Sequence, residues 1–326
     1  MKATKVISIL TAAMMLTAFA GCSNGTTSEY GSSDSSASSA DNSSKESKSD
    51  SSAAADNSSE ETKATLTDDI TVISREEGSG TRGAFVELMG IQQENDKGEK
   101  EDMTTENAEI TSSTSVVLQS VADNKDAIGY ISLGSLNDTV KAIKVDGVEP
   151  SVEDILNGSY AVARPFVVCY KEGELSELAA DFMTFIMSEQ GQAIITDNGY
   201  ISEGNDGAYT GSGMSGSLTL SGSTSVSPVM EKIADAYKEI NPDTVIEVQQ
   251  TGSGAGITAA AEGACDLGMS SRALKDSELE KGLTAKNIAN DGIAVIINHE
   301  NPVDDLSSEQ IMKIYTGEIN RWDELA

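Results

Sequence analysis

Histidine is almost absent from this sequence: His299 stands alone, in a polar Asn-His-Glu-Asn turn. With one imidazole, neither a zinc constellation nor a histidine-based nucleophilic triad can be assembled. Cysteine is nearly as scarce. Of Cys22, Cys169 and Cys265, the second lies in an apolar run and the third at the end of an Ala-rich helical stretch. That placement predicts two buried free thiols rather than a disulfide or a metal site. Positive charge is outnumbered, 22 Lys and Arg against 53 Asp and Glu, for a formal net charge of −31 and a pI near 4.2. Such a chain argues against nucleic acid and anionic membrane surfaces as partners. A small anion is still admissible, because a desolvated ring of N–H groups and one or two arginines acts locally while distant carboxylates are screened. Nucleotide signatures are missing too. Gly252, Gly254 and Gly256 are spaced G-x-G-x-G, not G-x-G-x-x-G, and no turn ends in the Gly-Lys-Ser/Thr of a P-loop.

What is present begins with a leader. Residues 1–22 carry Lys2 and Lys5, an apolar middle from Val6 to Ala20, and small residues ahead of a cysteine in Phe19-Ala20-Gly21-Cys22. This reads as a secretory signal, too short and too early to span a membrane in the mature protein. Its last four residues resemble a bacterial lipobox, with Phe19 where leucine is usual, so Cys22 is the expected lipidation site (palmitate-bearing) at the mature N-terminus; ordinary secretion with a free cysteine is the alternative. Residues 23–67 are Ser, Ala, Asp, Asn, Glu and Lys with Tyr30 as the lone aromatic in the Ser23–Lys63 stretch. A segment that cannot bury apolar surface is predicted to be a disordered tether.

From residue 68 onward, apolar β-branched runs alternate with helical patterns, which predicts an α/β fold of two ordinary domains. Strands are expected at 70–74, 127–132, 140–145, 164–170, 218–221, 244–249, 266–270 and 292–298. Helices are expected at 83–88, 114–122, 174–187, 189–196, 228–240, 256–262, 276–282 and 307–316. A Gly/Ser-rich joint at 203–216 reads as a linker.

Four strand-to-helix turns share one chemistry. Ser74-Arg75-Glu76-Glu77-Gly78-Ser79-Gly80-Thr81-Arg82 offers free backbone N–H groups, hydroxyls and the positive end of a helix dipole, flanked by guanidinium groups able to fork onto two oxygens. The others are Gly222-Ser223-Thr224-Ser225-Val226-Ser227-Pro228, Thr251-Gly252-Ser253-Gly254-Ala255-Gly256 and Ser270-Ser271-Arg272. Together they suggest strand ends converging on one oxyanion. Ser112-Ser113-Thr114-Ser115 reads as an ordinary helix cap, with a fifth turn of the same kind as the alternative. Glu76 and Glu77 read as solvated charges at a helix start, so no catalytic base stands beside a nucleophile. Each turn taken singly is equally a capped helix start without a ligand.

With Tyr-Thr-Gly-Glu-Ile-x-x-Trp near the C-terminus, these motifs resemble the phosphate-binding protein of the bacterial Pst-type phosphate ABC transporter, across residues 68–326. The resemblance implies a two-lobed periplasmic-binding-protein-like fold (type II) with two hinge strands, no cofactor and no metal. It implies inorganic phosphate and the permease subunits of an ABC transporter as partners, and an extracytoplasmic location at the cell membrane. Phosphate contacts carried over onto matching positions are Arg75, Ser79, Gly80, Thr81, Thr224, Ser225, Ser253 and Ser271. Ser271 stands where some members have an aspartate, which bears on phosphate against sulfate. The two halves run in the opposite order to that family, as in a circular permutation. One lobe then comprises 68–163 plus 298–326 and the other 164–297; domain swapping between chains and an unpaired tandem remnant are the rivals. A secreted phosphate-ester hydrolase on the same scaffold, and a surface or scaffold protein with a degenerate anion site, are the competing functional readings.

Overall fold

The computed structural model describes residues 68–95 and 100–325, so the expected signal, lipidation site and tether lie outside the described residues. The strand-forming runs assemble into one ten-stranded sheet with two parallel wings. In one wing Gly216–Gly222 lies between Thr244–Gln250 and Leu267–Ser270. In the other Thr71–Arg75 lies between Ala127–Ser132 and Glu109–Thr111. Two antiparallel strands, Ala163–Lys171 and Leu283–Ile297, join the wings. The latter is 15 residues long and changes partner along its length, pairing with Ala163–Lys171 as far as Gly292 and with Ala127–Ser132 from Ile293. Its first half, Leu-Thr-Ala-Lys-Asn-Ile-Ala-Asn-Asp, escaped the sequence reading because three consecutive residues, Ala285 to Asn287, are exposed and break the apolar run.

The apolar core divides along the same line. Phe166, Phe182, Phe185, Leu220, Ile233, Tyr237 and Ile288 belong to one cluster, and Phe85, Ile91, Tyr130, Ile293, Ile311, Tyr315 and Trp322 to another. None of the core clusters mixes residues of 166–289 with residues of 72–162 or 293–322. The C-terminal helix Ser308–Thr316 is capped by Ser307 and Gln310, ends at Gly317 in the left-handed region, and buries Ile311, Ile314 and Tyr315 beside the chain's opening strand. There the Ile70 N–H donates to the Asn320 carbonyl at 2.7 Å, and Asp69 bridges to Arg321.

Several expected boundaries shift. The 140–145 strand is two short ones, Lys141–Ala142 and Lys144–Val145, and the 276–282 helix shortens to Asp276–Leu279. The helices expected from 83 and 256 start three residues earlier, as Gly80–Leu88 and Ser253–Glu262, so part of each anion-binding turn is already helix. The 203–216 joint has no regular structure before Gly216, yet it is fastened down rather than loose. Tyr209 exchanges hydrogen bonds with Gln190 at 2.8 and 2.9 Å, and the Tyr209 and Tyr237 hydroxyls both donate to Asp181 at 2.5 Å. Among the described residues no helix is long and apolar enough to cross a membrane.

Cys169 and Cys265 are free and buried, as expected. Burial pushes the Cys169 thiol up to about 12 and the Cys265 thiol to about 11. Because the thiolate is the nucleophile, neither residue should take up iodoacetamide at neutral pH until the protein is unfolded in guanidinium. Mass spectrometry of native and unfolded samples checks this, and labelling of either residue in the native protein would refute it.

Candidate oxyanion site

The strand Thr71–Arg75 delivers Arg75 into the interior, where only 2% of the residue is exposed. Its backbone is held from behind. The Tyr130 hydroxyl lies 2.9 Å from Ser74 Oγ and accepts the Arg75 N–H at 3.3 Å. Tyr130 in turn stacks on Phe85, ring centroids 3.9 Å apart and 14° from parallel, a contact that contributes about 0.5–1.5 kcal/mol beyond simple burial. Burial raises the Tyr130 phenol to about 12, so it stays a neutral partner. Arg82 does not point at the same spot as Arg75. It donates to the Arg75 carbonyl and to Asp102, both at 2.8 Å, bracing the turn.

The Arg75 guanidinium is oriented by its neighbour. Nε and Nη2 each donate to Glu76 at 2.9 Å, so the fork expected for a ligand is taken by Glu76, and Glu76 is not a freely solvated charge; only Glu77 is exposed. The remaining edge of the guanidinium faces hydroxyls. Nη2 donates to Thr224 Oγ1 at 3.1 Å, and Nη1 reaches Thr114 Oγ1 at 3.5 Å. Thr114 Oγ1 lies 3.4 Å from Thr224 Oγ1 and 3.3 Å from Ser225 Oγ, and Thr81 Oγ1 lies 2.9 Å from Ser225 Oγ. Across the cluster, the Ser271 N–H donates to Ser253 Oγ at 3.2 Å, with the two hydroxyls 3.4 Å apart. All of Arg75, Ser79, Thr81, Thr114, Thr224, Ser225, Ser253 and Ser271 are buried.

The backbone is shaped to allow this crowding. Gly80 begins its helix so close to the opposite turn that a Cβ there would lie 2.5 Å from Ser253 Oγ and 2.7 Å from Ser271 Oγ. Gly252 precedes the helix Ser253–Glu262 at φ 87°, a conformation that favours glycine. Its neighbour, the Gly254 N–H, donates to the Gly78 carbonyl at 3.0 Å, tying the two turns together. Ser79 caps the helix Gly80–Leu88 by accepting from the Arg82 N–H, which leaves its own proton to donate elsewhere.

The structure thus brings together every expected position and adds Thr114. In Thr114–Asp123 the capping hydroxyl is Ser113, which accepts from the Val116 N–H at 3.3 Å, so Thr114 is free to face the cluster. Its Ser/Thr run looked like any cap, and only the second hydroxyl next to the first hinted otherwise. Arg272 turns away and is held by Glu278 through two bonds of 2.8 Å. The cluster is therefore one buried guanidinium, a shell of hydroxyls, and the N-terminal turns of helices beginning at Gly80, Thr114, Ser227 and Ser253. Uncharged donors and helix dipoles of this kind hold a desolvated oxyanion. Arg75, Thr81 and Thr114 come from one wing of the sheet and Thr224, Ser225, Ser253 and Ser271 from the other.

Two wings meeting over such a cluster through two central strands form a type II periplasmic-binding-protein fold, mixed α/β with a curled sheet. The chain belongs to the PBP superfamily: the model of the PBP superfamily domain matches residues 50–190 and 207–326. It is 49% identical over 257 residues to phosphate-binding protein PstS 2 of Streptococcus agalactiae, covering 79% of this chain and 88% of that one. Among solved structures, a phosphate-binding protein of a phosphate ABC transporter from Streptococcus pneumoniae aligns at 46% identity with a TM-score of 0.64, over 79% of this chain and all of that one. The phosphate-binding protein PstS of Bacillus subtilis matches over 113 residues only, at 39% identity, covering 34% of this chain and 38% of that one.

Proposed function

We propose that this protein binds inorganic phosphate between two lobes and delivers it to the permease of an ABC transporter, from a lipid anchor on Cys22 at the extracytoplasmic face of a bacterial membrane. The observation that carries the reading is the buried cluster of Arg75, Ser79, Thr81, Thr224, Ser225, Ser253 and Ser271, joined by Thr114 and the backbone at Gly80 and drawn from both wings of the sheet. The phosphate-binding names of its relatives support it. The protein acts without cofactor or metal and without enzymatic turnover: the cluster supplies donors to an oxyanion but no base positioned to activate a nucleophile. Closing the lobes removes water and strengthens each donor, which gives tight binding without covalent chemistry.

We take the lobes to be 68–163 with 293–326, and 164–292 with the joint at 203–216; the boundary expected after 297 moves back to 292 because Ile293–Ile297 pair with Ala127–Ser132 and pack in the core of the first lobe. We further propose that the order of halves is a circular permutation within the family. The long match to the S. agalactiae relative and the half-length match to the B. subtilis one favour this, since a rearranged order limits a run of similarity to one half. The adjacency of Asp69 and Arg321 gives the ends the closeness that such a rearrangement needs.

Isothermal titration of the protein with phosphate and then sulfate, with its mass in solution measured alongside, tests the proposal. Saturable phosphate binding by a monomer is expected, with sulfate weaker. No binding by folded monomer would overturn the transport reading, and binding by a dimer alone would replace permutation with swapped halves. In the same assay Thr114→Val, which keeps the shape and removes one hydroxyl, should weaken phosphate by about five- to twentyfold with little change in melting temperature. Unchanged affinity would return Thr114 to the helix start.

A further inference from the structure

Arg164 and Asp291 face one another across the two central strands, at the place where the long strand leaves Ala163–Lys171 for Ala127–Ser132. Arg164 Nη2 donates to Asp291 Oδ2 at 3.0 Å, and the two side chains are 2% and 0% exposed. The Gly134 N–H reaches the other carboxylate oxygen at 3.4 Å. Among the described residues, however, Arg164 Nε and Nη1 are buried without a hydrogen-bond partner, and the hydroxyls of Ser132, Ser135 and Tyr200 are buried with none of good geometry. The Phe166 ring covers the guanidinium at 5.5 Å, and Gly134 lies so tight on Tyr200 that a Cβ would come within 2.3 Å of its Cζ. Arg164 also lines a groove of about 590 Å³ between the wings, with Ser79 and Gly83 on one wall and Arg272 and Lys275 on the other.

A guanidinium with two unmet donors is costly to keep dry. Widening of the groove that Arg164 lines would admit water to it, and narrowing would expel that water. Asp291 offsets one nitrogen and leaves two. From these contacts we infer that the Arg164–Asp291 pair is a reopening device at the hinge, biasing the lobes apart and setting how fast a bound anion leaves. The inference rests on the reading of the Arg75 cluster as the ligand site. It also couples to that site by charge: Arg75 acts on Arg164 as a like charge, and an anion seated beside Arg75 relieves that repulsion in the closed form.

The test compares phosphate release by stopped flow in the wild type, in Arg164→Met/Asp291→Leu and in Arg164→Lys. The double variant replaces the pair with apolar groups of similar shape and removes the charged groups that opening would hydrate, so release should slow by about fivefold or more. Lysine keeps the charge in a more strongly hydrated ammonium, so release should quicken by about threefold or more. A pair with a merely structural role would move melting temperature and leave release unchanged, or shift both variants in one direction; either result overturns the inference. If the double variant does not fold, Arg164→Lys decides alone, and unchanged or slower release refutes the device. Small-angle X-ray scattering without ligand separates the two readings. The double variant should be more compact than wild type whether or not phosphate binds, whereas absence of phosphate binding by the wild type would count against the transport reading instead.

Discussion

Replacing Arg75 with alanine is expected to remove phosphate binding, raising the dissociation constant by about a hundredfold or more. Arg75 is the one guanidinium that reaches the hydroxyl cluster, through Thr224 at 3.1 Å and Thr114 at 3.5 Å, and it does so from full burial. Its loss also releases Glu76, whose carboxylate is left without its guanidinium partner beside the hydroxyl cluster and repels an incoming dianion. The fold should survive, because Glu76 is partly exposed and can be hydrated. Lysine at this position is not conservative, since a point charge cannot hold the Glu76 fork and reach two hydroxyls at once. Isothermal titration checks both variants against a thermal melt. Affinity within threefold of wild type for Arg75→Ala would place the anion elsewhere.

Gly80→Ala should cost nearly as much by a different route. The added methyl would lie 2.5 Å from Ser253 Oγ and 2.7 Å from Ser271 Oγ, closer than carbon and oxygen approach. Both atoms are buried serine hydroxyls engaged in the hydrogen bonds of the cluster, so turning either aside gives up those contacts. Gly80 starts a helix, and its backbone tolerates alanine. The strain therefore falls on the approach of the two wings. Affinity should drop by about thirtyfold or more while the melting temperature of ligand-free protein stays nearly constant. Wild-type affinity in this variant would mean that the wings do not need to meet here for binding.

Most of this site was legible because each element announces itself locally. A β-branched strand, a Gly/Ser/Thr turn and a helix start recur at residues 70–88, 218–240 and 244–262, and the chemistry of the turn needs no tertiary knowledge. What was hidden depended on how side chains turn and pack in the folded chain. Glu76 looked solvated because its partner is the side chain of the adjacent residue rotated inward, which no pattern records. Thr114 looked like a cap because Ser113 and Thr114 are chemically alike and only packing decides which of them caps. The strand 283–291 reads as polar because Ala285, Lys286 and Asn287 are exposed in succession, which breaks the alternation of a half-buried strand. The 203–215 segment reads as a linker by composition, yet Tyr209, wedged against Phe185 and Tyr237, fastens it together with the Ser212 hydroxyl on Asp181 and the Gly213 N–H on Asn241.

The adjacency of Asp68 and Trp322, whose backbones meet at 3.3 Å, has a mechanical consequence. Both described ends of the chain emerge from the same wing, while residues 164–291 are entered and left only through the two central strands. On the proposed reading, anything attached at either end loads one wing and leaves the other unloaded. The attached wing is then a stator and 164–291 a rotor, so ligand-driven motion relative to the point of attachment is carried by the uninterrupted segment. A probe fixed to that segment should report the full amplitude of closure, and one fixed near either terminus almost none.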